Sequence, residues 1–210
     1  MNWITRPAQP AHKRVTVRAI RPTDADLIDK MHGRLTPDSI YYRYLRYRPP
    51  TLTEIAAICR LDPTKGVGLV ATVHAGAEYI EESIVGVAYY VREAAAGHQT
   101  AEPGILVEDR FQAQGIGRSL WQQLQQHAQR DGLHWLRVLT HPHNERVARL
   151  VQGAGLPYVA TVHGDLHEYL VQIETPPNPI AAQVTKPLRS TLVGHWRHLR
   201  NQLSWHWQEL

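Results

Sequence analysis

The sequence predicts an α/β domain in which a central mixed sheet carries helices on both faces. Two patterns support this prediction. In the first half of the chain, strand-like runs are separated by short polar segments typical of hairpins, which make neighbouring strands antiparallel. From residue 101 onward, strand and helix patterns alternate, and a strand-helix-strand order places its two strands parallel in one sheet. The length of 210 residues suits one domain with appendages.

The first strand and the helices after it are indicated by the spacing of their apolar residues. Residues 14–21 alternate apolar and polar side chains, as a half-buried strand does. Thr23 is predicted to cap a first helix that ends at Gly33, because hydroxyl residues open helices and glycine stops them. Pro37, just inside a helix start, predicts a second helix, and Thr53 is predicted to cap a third.

The remaining elements complete the predicted sheet. Residues 68–73 and 84–91 predict two antiparallel strands joined by a polar segment. The second half of the chain predicts strands over residues 104–107, 133–140, 158–163 and 166–173, and helices over residues 117–130 and 145–153. We therefore expect one domain over residues 14–175, preceded by an extension over residues 1–13.

A proline-rich stretch predicts where this domain ends. Residues 176–190 are predicted to form a linker, because their prolines interrupt regular structure. Beyond it, residues 191–210 predict an amphipathic C-terminal helix, with its apolar side chains at spacings of three and four. Such a stripe predicts packing on the domain or on a second copy, and hence a homodimer. A basic, tryptophan-bearing helix on a membrane surface is the alternative.

Composition argues against several function classes. Cys59 is the only cysteine, so no intramolecular disulfide can form, and its apolar neighbours predict a buried thiol. The net charge of +4 includes no basic block, which argues against a nucleic-acid partner. The pairs His141–His143 and His163–His167 have no acidic or cysteine companions at ligand spacing, so no metal is expected. The N-terminus lacks the apolar core of a signal peptide, which predicts a cytoplasmic protein.

The segment from Gln112 to Gly117 (QAQGIG) is the clearest chemical signal. It lies between a predicted strand and a predicted helix, and glycines there let the backbone approach a ligand closely. Free N–H groups around residues 116–119, at the helix start, favour a pyrophosphate. Arg118 adds a positive charge beside them. The alternative interpretation is a glycine pair that only turns the chain.

Two common phosphate-binding loops do not fit this segment. A Rossmann fingerprint requires a third glycine at Leu120, and an acid near the end of the next strand, where Thr140 and His141 stand. A Walker loop requires glycine at Gln112 and lysine at Arg118.

The spacing of Gln112, Gly115 and Gly117 resembles the acetyl-CoA signature of the GNAT superfamily of acetyltransferases. The resemblance extends over residues 14–173, and the segments 20–25 and 35–44 resemble the GNAT domain of bacterial Pat-type protein lysine acetyltransferases. It implies a mixed, mostly antiparallel sheet whose two parallel strands splay apart. It also implies acetyl-CoA as co-substrate and an amine, such as a protein lysine, as acceptor.

The resemblance further implies which residues bind acetyl-CoA. Backbone N–H groups at Leu106 and Val107 would hold the thioester oxygen and stabilise the oxyanion. The cofactor would also contact the signature segment and the helix start, at Gln112, Ala113, Gln114, Gly115, Ile116, Gly117, Arg118 and Ser119. Asn144, which opens the next predicted helix, is predicted both to cap that helix and to contact the cofactor.

Glu102 is the general base that the Pat-type resemblance implies, because it lies ten residues before Gln112. An amine with a lysine-like pKa of about 10.4 must lose a proton to become a nucleophile. A solvated acid at a strand edge is the alternative role for Glu102. Glu108 and Asp109 are predicted as turn residues, with a role of either as the base as the alternative. Val151 stands where many members place a tyrosine that protonates the thiolate.

Two classes of function stay open on these residues. One is an enzyme that acetylates a protein lysine or a small amine, and the other is a catalytically silent sensor that binds acyl-CoA in the same site. Glu102 is the residue that separates them. The tyrosines of segment 41–47 either line an acceptor pocket or pack in the core, and the identity of the acceptor is not fixed by the sequence.

Overall fold

The computed structural model describes residues 15–74, 82–93 and 99–173. Its strands are β1 (Val15–Ala19), β2 (Gly66–His74), β3 (Glu82–Arg92), β4 (Thr100–Val107), β5 (Trp135–Thr140), β6 (Tyr158–His163) and β7 (Leu166–Gln172). They form one sheet in the order β1-β2-β3-β4-β5-β7-β6, in which β4 and β5 are parallel and all other neighbours are antiparallel. The predicted mixed sheet is confirmed.

Five α-helices accompany the sheet in the described part of the chain. They are α1 (Ala25–His32), α2 (Pro37–Tyr44), α3 (Leu52–Cys59), α4 (Ile116–Arg130) and α5 (Glu145–Gln152). Among these helices, none has the length and apolar character that crossing a bilayer requires. The predicted extension (1–13), linker (176–190) and C-terminal helix (191–210) lie outside the described residues. The homodimer and the cytoplasmic location therefore stay predictions.

The helices cover both faces of the sheet, as predicted. On one face, α4 packs through a fully buried stripe at intervals of four residues, Leu120, Leu124 and Ala128. On the other face, α1 and α3 cover a second apolar cluster that includes Ile28, Met31, Ile55, Val87 and Leu106. The buried thiol of Cys59 belongs to this second cluster, as predicted. The sheet is therefore enclosed on both sides around the centre of β4.

The predicted start of the first helix is wrong. Thr23 lies in a 3-10 turn, Pro22–Asp24, and α1 begins only after it. The turn is fixed by Asp24, whose carboxylate accepts a 2.7 Å hydrogen bond from the backbone N–H of Arg21 and pairs with Arg18. A buried aspartate thus replaces the predicted threonine as the residue that opens the helix.

The predicted cap of the third helix is also wrong. Thr51, two residues before the predicted Thr53, caps α3 by accepting a hydrogen bond from the backbone N–H of Glu54. Glu54 accepts in return from the backbone N–H of Thr51, which completes a capping box. The prediction overlooked the glutamate three residues after Thr51.

Candidate active site

The parallel strands β4 and β5 separate soon after they begin. Within the described residues they pair only at Thr100–Trp135 and Ala101–Leu136. Beyond these pairs, β4 stays hydrogen-bonded to β3 as far as Val107, and β5 stays paired with β7 as far as Thr140. A gap therefore opens toward the carboxyl ends of both strands. An extended ligand can add to such edges as a further strand does.

The alternation of backbone hydrogen bonds shows which groups of β4 face this gap. The bonds from Glu93 N–H to Thr100 O and from Glu108 N–H to Val85 O assign the even-numbered residues of β4 to the ladder with β3. The N–H groups of Ile105 and Val107 therefore point into the gap, whereas Leu106 N–H points to β3. Of the two predicted backbone donors, the geometry supports Val107 and favours Ile105 over Leu106.

The same alternation explains why β4 is longer than predicted. The strand begins at Thr100, whereas the sequence predicts a start at Gly104. Pro103 is odd-numbered, so its missing N–H would point toward the gap, where β5 no longer pairs. A proline costs no ladder hydrogen bond at such an unpaired edge.

The opposite edge of the gap belongs to β5. The hydrogen bond from Ile173 N–H to His134 O assigns the even-numbered residues of this strand to its antiparallel partner β7. The backbone groups of Arg137 and Leu139 therefore face the gap. Thr140, at the open end, has a buried hydroxyl without a hydrogen-bond partner among the described residues. Unpaired polar groups on both sides of the gap suit a polar, extended ligand.

The segment after β4 turns sharply into α4. Ala113 and Gly115 have left-handed backbone conformations, with φ of 59° and 83°. Such a φ is strained for alanine but not for glycine. The first-turn N–H groups of Ile116 and Gly117 have no acceptor within the helix and mark its positive end. A Cβ built on Gly117 would lie 3.8 Å from Val107, so this helix end adjoins the end of β4.

The polar side chains of this segment support the loop itself. Gln112 Nε2 donates to the carbonyl of Val107 at 2.9 Å, and Gln114 Nε2 donates to the carbonyl of Arg110 at 3.0 Å. Arg118 is exposed and donates to the carbonyl of Gly153 at 3.2 Å. The predicted cofactor contacts of these three side chains stay predictions. In this structure the hydrogen bonds of Gln112 and Gln114 fix the loop, and that of Arg118 joins α4 to the end of α5.

One cavity adjoins this segment, and a second lies beside the loop residue Asp109. One of about 570 Å³ lies between β1 and the start of α4, where Gly115, Ile116 and Ser119 line it. The other, of about 360 Å³, lies between α2 and α5, where Asn144 lines it. Asn144 occupies the N-cap position of α5, but its side chain makes no capping hydrogen bond, so that part of the prediction is wrong. Its amide is free to contact a ligand in the cavity.

Glu102 lies on the face of β4 that it shares with Gly104 and Leu106, since side chains alternate along a strand. It is half-buried and forms no ion pair or hydrogen bond within the described residues. Burial raises the pKa of Glu102 to about 7, and the nearby Glu93 and Glu168 add to the rise against the opposing charges of Arg43 and Arg137. A carboxyl group with this pKa can take up and release a proton near neutral pH.

The two neighbouring acids have structural partners. Glu108 is buried and pairs with Arg34 at 2.9 Å and with Arg110. Asp109 accepts from the hydroxyl of Ser39 at 2.6 Å and from the backbone N–H of Thr36, which lowers its pKa although burial opposes the change. Both acids therefore attach the loop after β4 to the start of α2, in keeping with their prediction as turn residues.

The tyrosines of segment 41–47 divide between core and site. Tyr44 packs against the apolar cluster under α1 and α3. Tyr41 and Tyr42 contact His141 at the end of β5, with ring centroids 5.7 and 6.0 Å apart, and Tyr42 lines the smaller cavity. Tyr47 is 71% exposed and stacks on Tyr41. Helix α2 thus extends across the open end of the gap.

Histidines near the site do not assemble with other ligands into a metal centre. Within the described residues, no three side chains of histidine, cysteine, aspartate or glutamate cluster as metal ligands do. His163 nevertheless has an acidic companion, Glu168, at 3.1 Å, contrary to the sequence prediction. Val151 is buried in the core under α4, so its position offers no acid.

The described residues thus combine a sheet that opens between two parallel strands with a glycine-containing loop and a helix N-terminus. The sequence model described as "Acetyltransferase (GNAT) family" matches residues 38–155. The chain belongs to this family of acetyl-CoA-dependent N-acetyltransferases. No curated protein sequence matches it.

Solved structures show the same fold. The GNAT domain of S. lividans PAT shares 20% sequence identity with this chain at a TM-score of 0.65, and the match covers 78% of this chain and 99% of that one. The putative acetyltransferase yncA from Salmonella typhimurium, whose structure contains acetyl-CoA, shares 18% sequence identity at a TM-score of 0.62. That match covers 79% of this chain and 98% of yncA. Diaminobutyrate acetyltransferase EctA from Paenibacillus lautus shares 15% sequence identity at a TM-score of 0.58. That match covers 79% of this chain and 99% of EctA.

Proposed function

We propose that this protein transfers an acetyl group from acetyl-CoA to an amine, with Glu102 as the general base. One observation is central to this proposal. Glu102 is a half-buried carboxyl group beside the gap, it has no ion pair or hydrogen bond within the described residues, and burial raises its pKa to about 7. A silent acyl-CoA sensor has no need for such a group, whereas an amine that must lose its proton does.

Acetyl-CoA fits the groups that this chain presents. The unpaired edges of β4 and β5 offer backbone donors and acceptors to its amide-containing arm. The N–H groups of Ile105 and Val107 would donate to the thioester oxygen, where negative charge develops during transfer. The start of α4 would hold the pyrophosphate through the N–H groups of Ile116 and Gly117. Asn144 would contact the arm from the side of α5.

The proposed reaction forms one bond and breaks one. The amine nitrogen attacks the thioester carbonyl carbon, the carbon–sulfur bond breaks, and coenzyme A leaves as its thiolate. Glu102 takes the proton from the amine, directly or through water. Since Val151 replaces the tyrosine found at the matching position in many members, the thiolate leaves without an acid from that position.

Two acceptors suit this chemistry. The resemblance to Pat-type enzymes favours a protein lysine, and the solved structures include the GNAT domain of S. lividans PAT. EctA from Paenibacillus lautus acts instead on a small molecule, L-2,4-diaminobutyric acid. Acetyl transfer measured against purified proteins and against small amines distinguishes these acceptors.

The rate of this transfer is expected to depend on pH. Glu102 must be ionised to accept a proton, so kcat/KM should rise as pH increases through about 7, the pKa of this group. Initial rates measured between mildly acidic and mildly alkaline pH, at a constant concentration of free amine, test this. Acetyl-CoA binding without turnover of any protein or small amine would instead support the sensor.

A further inference from the structure

Arg43, on α2, forms no ion pair with a carboxylate within the described residues, although Glu102 lies close enough to raise its pKa. Among the described residues, five arginines are partly rather than fully exposed, and four of them, Arg18, Arg46, Arg92 and Arg137, form ion pairs with carboxylates. Arg43 forms none. A guanidinium stays charged in proteins, and withdrawing it from water is costly unless an anion compensates.

The guanidinium of Arg43 lies beside the proposed base. Its Nη2 would be only 1.7 Å from a Cβ built on Gly104, so the group packs directly on β4 where this strand lacks a side chain. Gly104 is two residues from Glu102 on the same face of the strand. The charged end of Arg43 is therefore a neighbour of the site at which the amine would react.

Aromatic residues hold the guanidinium in this position. Nη2 donates a 2.5 Å hydrogen bond to the hydroxyl of Tyr89, and the guanidinium carbon lies 5.0 Å and 5.1 Å from the ring centroids of Tyr89 and Tyr44. Although burial opposes its charge, Tyr89, Tyr44 and Glu102 together raise the pKa of Arg43. The Nε and Nη1 donors form no hydrogen bond within the described residues. The positioned group thus keeps donors available for a ligand.

A carboxylate is the anion that these donors suit best. Guanidinium and carboxylate groups form paired, charge-assisted hydrogen bonds. The thioester oxygen is a different acceptor, because Ile105 and Val107 point their N–H groups into the gap within the sheet, whereas Arg43 lies on the face covered by α1, α2 and α3. Because Glu102 shares that face, the acceptor amine would meet the proposed base there.

We propose that Arg43 binds a carboxylate of the acceptor, and that the acceptors of this enzyme are amines that also carry a carboxylate group, as amino acids do. This inference rests on the proposed acetyl transfer and specifies its substrate class. The amine would lie near Glu102 and the carboxylate near Arg43, on either side of the position of Gly104. Amines without an acid group would leave the guanidinium unpaired.

Matched pairs of acceptors test this proposal on the parent chain. Glycine is compared with methylamine, β-alanine with ethylamine, and γ-aminobutyrate with propylamine, at equal concentrations of free amine. In the best pair, we expect kcat/KM for the amino acid to exceed that for the alkylamine by about 10- to 100-fold, as a hydrogen-bonded charge pair provides. The number of carbon atoms between the amine and the carboxylate in the best amino acid indicates the distance between Glu102 and the guanidinium of Arg43.

Two variants assign the preference to Arg43. Arg43→Gln should bring the ratio within the best pair close to one, and Arg43→Lys should restore part of it. Arg46→Gln is the matched control, because Arg46 lies just beyond α2 and is paired with Glu54. It should leave the ratio unchanged. If Arg43→Gln does not fold, Arg43→Lys provides the test, because lysine keeps the charge without the paired donors and should lower the ratio relative to the parent.

The failure of this proposal differs from the failure of the proposed function. Acetylation of alkylamines or protein lysines without a preference for amino acids would overturn the carboxylate site and leave acetyl transfer intact. A preference that survives in Arg43→Gln would also overturn it. Acetyl-CoA binding without transfer to any acceptor would overturn both.

Discussion

Replacing Glu102 by glutamine is expected to lower kcat/KM for acetyl transfer by about 10²- to 10⁴-fold, the usual contribution of a general base. Glutamine keeps the shape of the side chain but cannot accept a proton near neutral pH. Because Glu102 lies on the side of β4 away from α4, the affinity for coenzyme A should stay at the parent value. Steady-state rates and calorimetry on the same preparation measure both quantities. The rise of the rate with pH should disappear.

Glu93→Gln is a matched control for this variant. Glu93 is close enough to raise the pKa of Glu102, but it is paired with Arg137 at 3.0 Å and has no proposed role in proton transfer. Its replacement should lower the pKa of Glu102, so that the rate rises at a lower pH, and most of the maximal rate should be kept. Equal losses in both variants, or a Glu102→Gln variant with the parent rate, would show that Glu102 is not the base.

Gly117→Asp is expected to weaken coenzyme A binding by about 100-fold or more without unfolding the domain. The new carboxylate would lie where the pyrophosphate is proposed to bind, and like charges about 4 Å apart near a protein surface repel by about 4 kcal/mol. The helix itself should benefit, because an acid in the first turn of a helix stabilises it by about 0.3–1 kcal/mol. The affinity for coenzyme A, measured by calorimetry, should therefore fall, whereas the temperature of thermal unfolding should rise.

Gly117→Ala separates charge from size in this test. A Cβ at position 117 meets only Val107, at an ordinary contact distance of 3.8 Å, so the methyl group is accommodated. The alanine variant should bind coenzyme A nearly as the parent does. If the aspartate variant also bound with parent affinity, the pyrophosphate could not lie at the start of α4.

Local patterns predicted most of the fold, because each depends on neighbours in sequence. The proline that starts α2 and the glycine that ends α1 were predicted correctly. The alternation of β1 was correct over residues 15–17 but wrong at its end, where Ala19 is exposed and Arg18 is half-buried through its ion pairs with Asp24 and Glu82. The predicted caps of α1 and α3 were wrong because the residue that opens a helix depends on its hydrogen-bond and ion-pair partners, which the spacing of apolar residues does not show. Asp24 is fixed by Arg18 and by the backbone of Arg21, and Thr51 is selected by Glu54.

The candidate site was predictable where a motif marks it and not where distant residues meet. The turn at Gly115 follows from the signature, since a left-handed conformation there favours glycine. The direction of the N–H groups of Ile105 and Leu106 depends on the register with β3, which a single strand does not reveal. Arg43 lies far in sequence from Gly104, and the absence of a side chain at that glycine was the only local signal of their contact.

The proposed function depends most directly on coenzyme A binding between β4 and β5 and at the start of α4. Titration calorimetry of the purified chain with coenzyme A tests this without assuming any acceptor. We predict saturable binding at one site per chain, weakened in Gly117→Asp and unchanged in Glu102→Gln. Absence of any association, with the chain folded, would contradict the account.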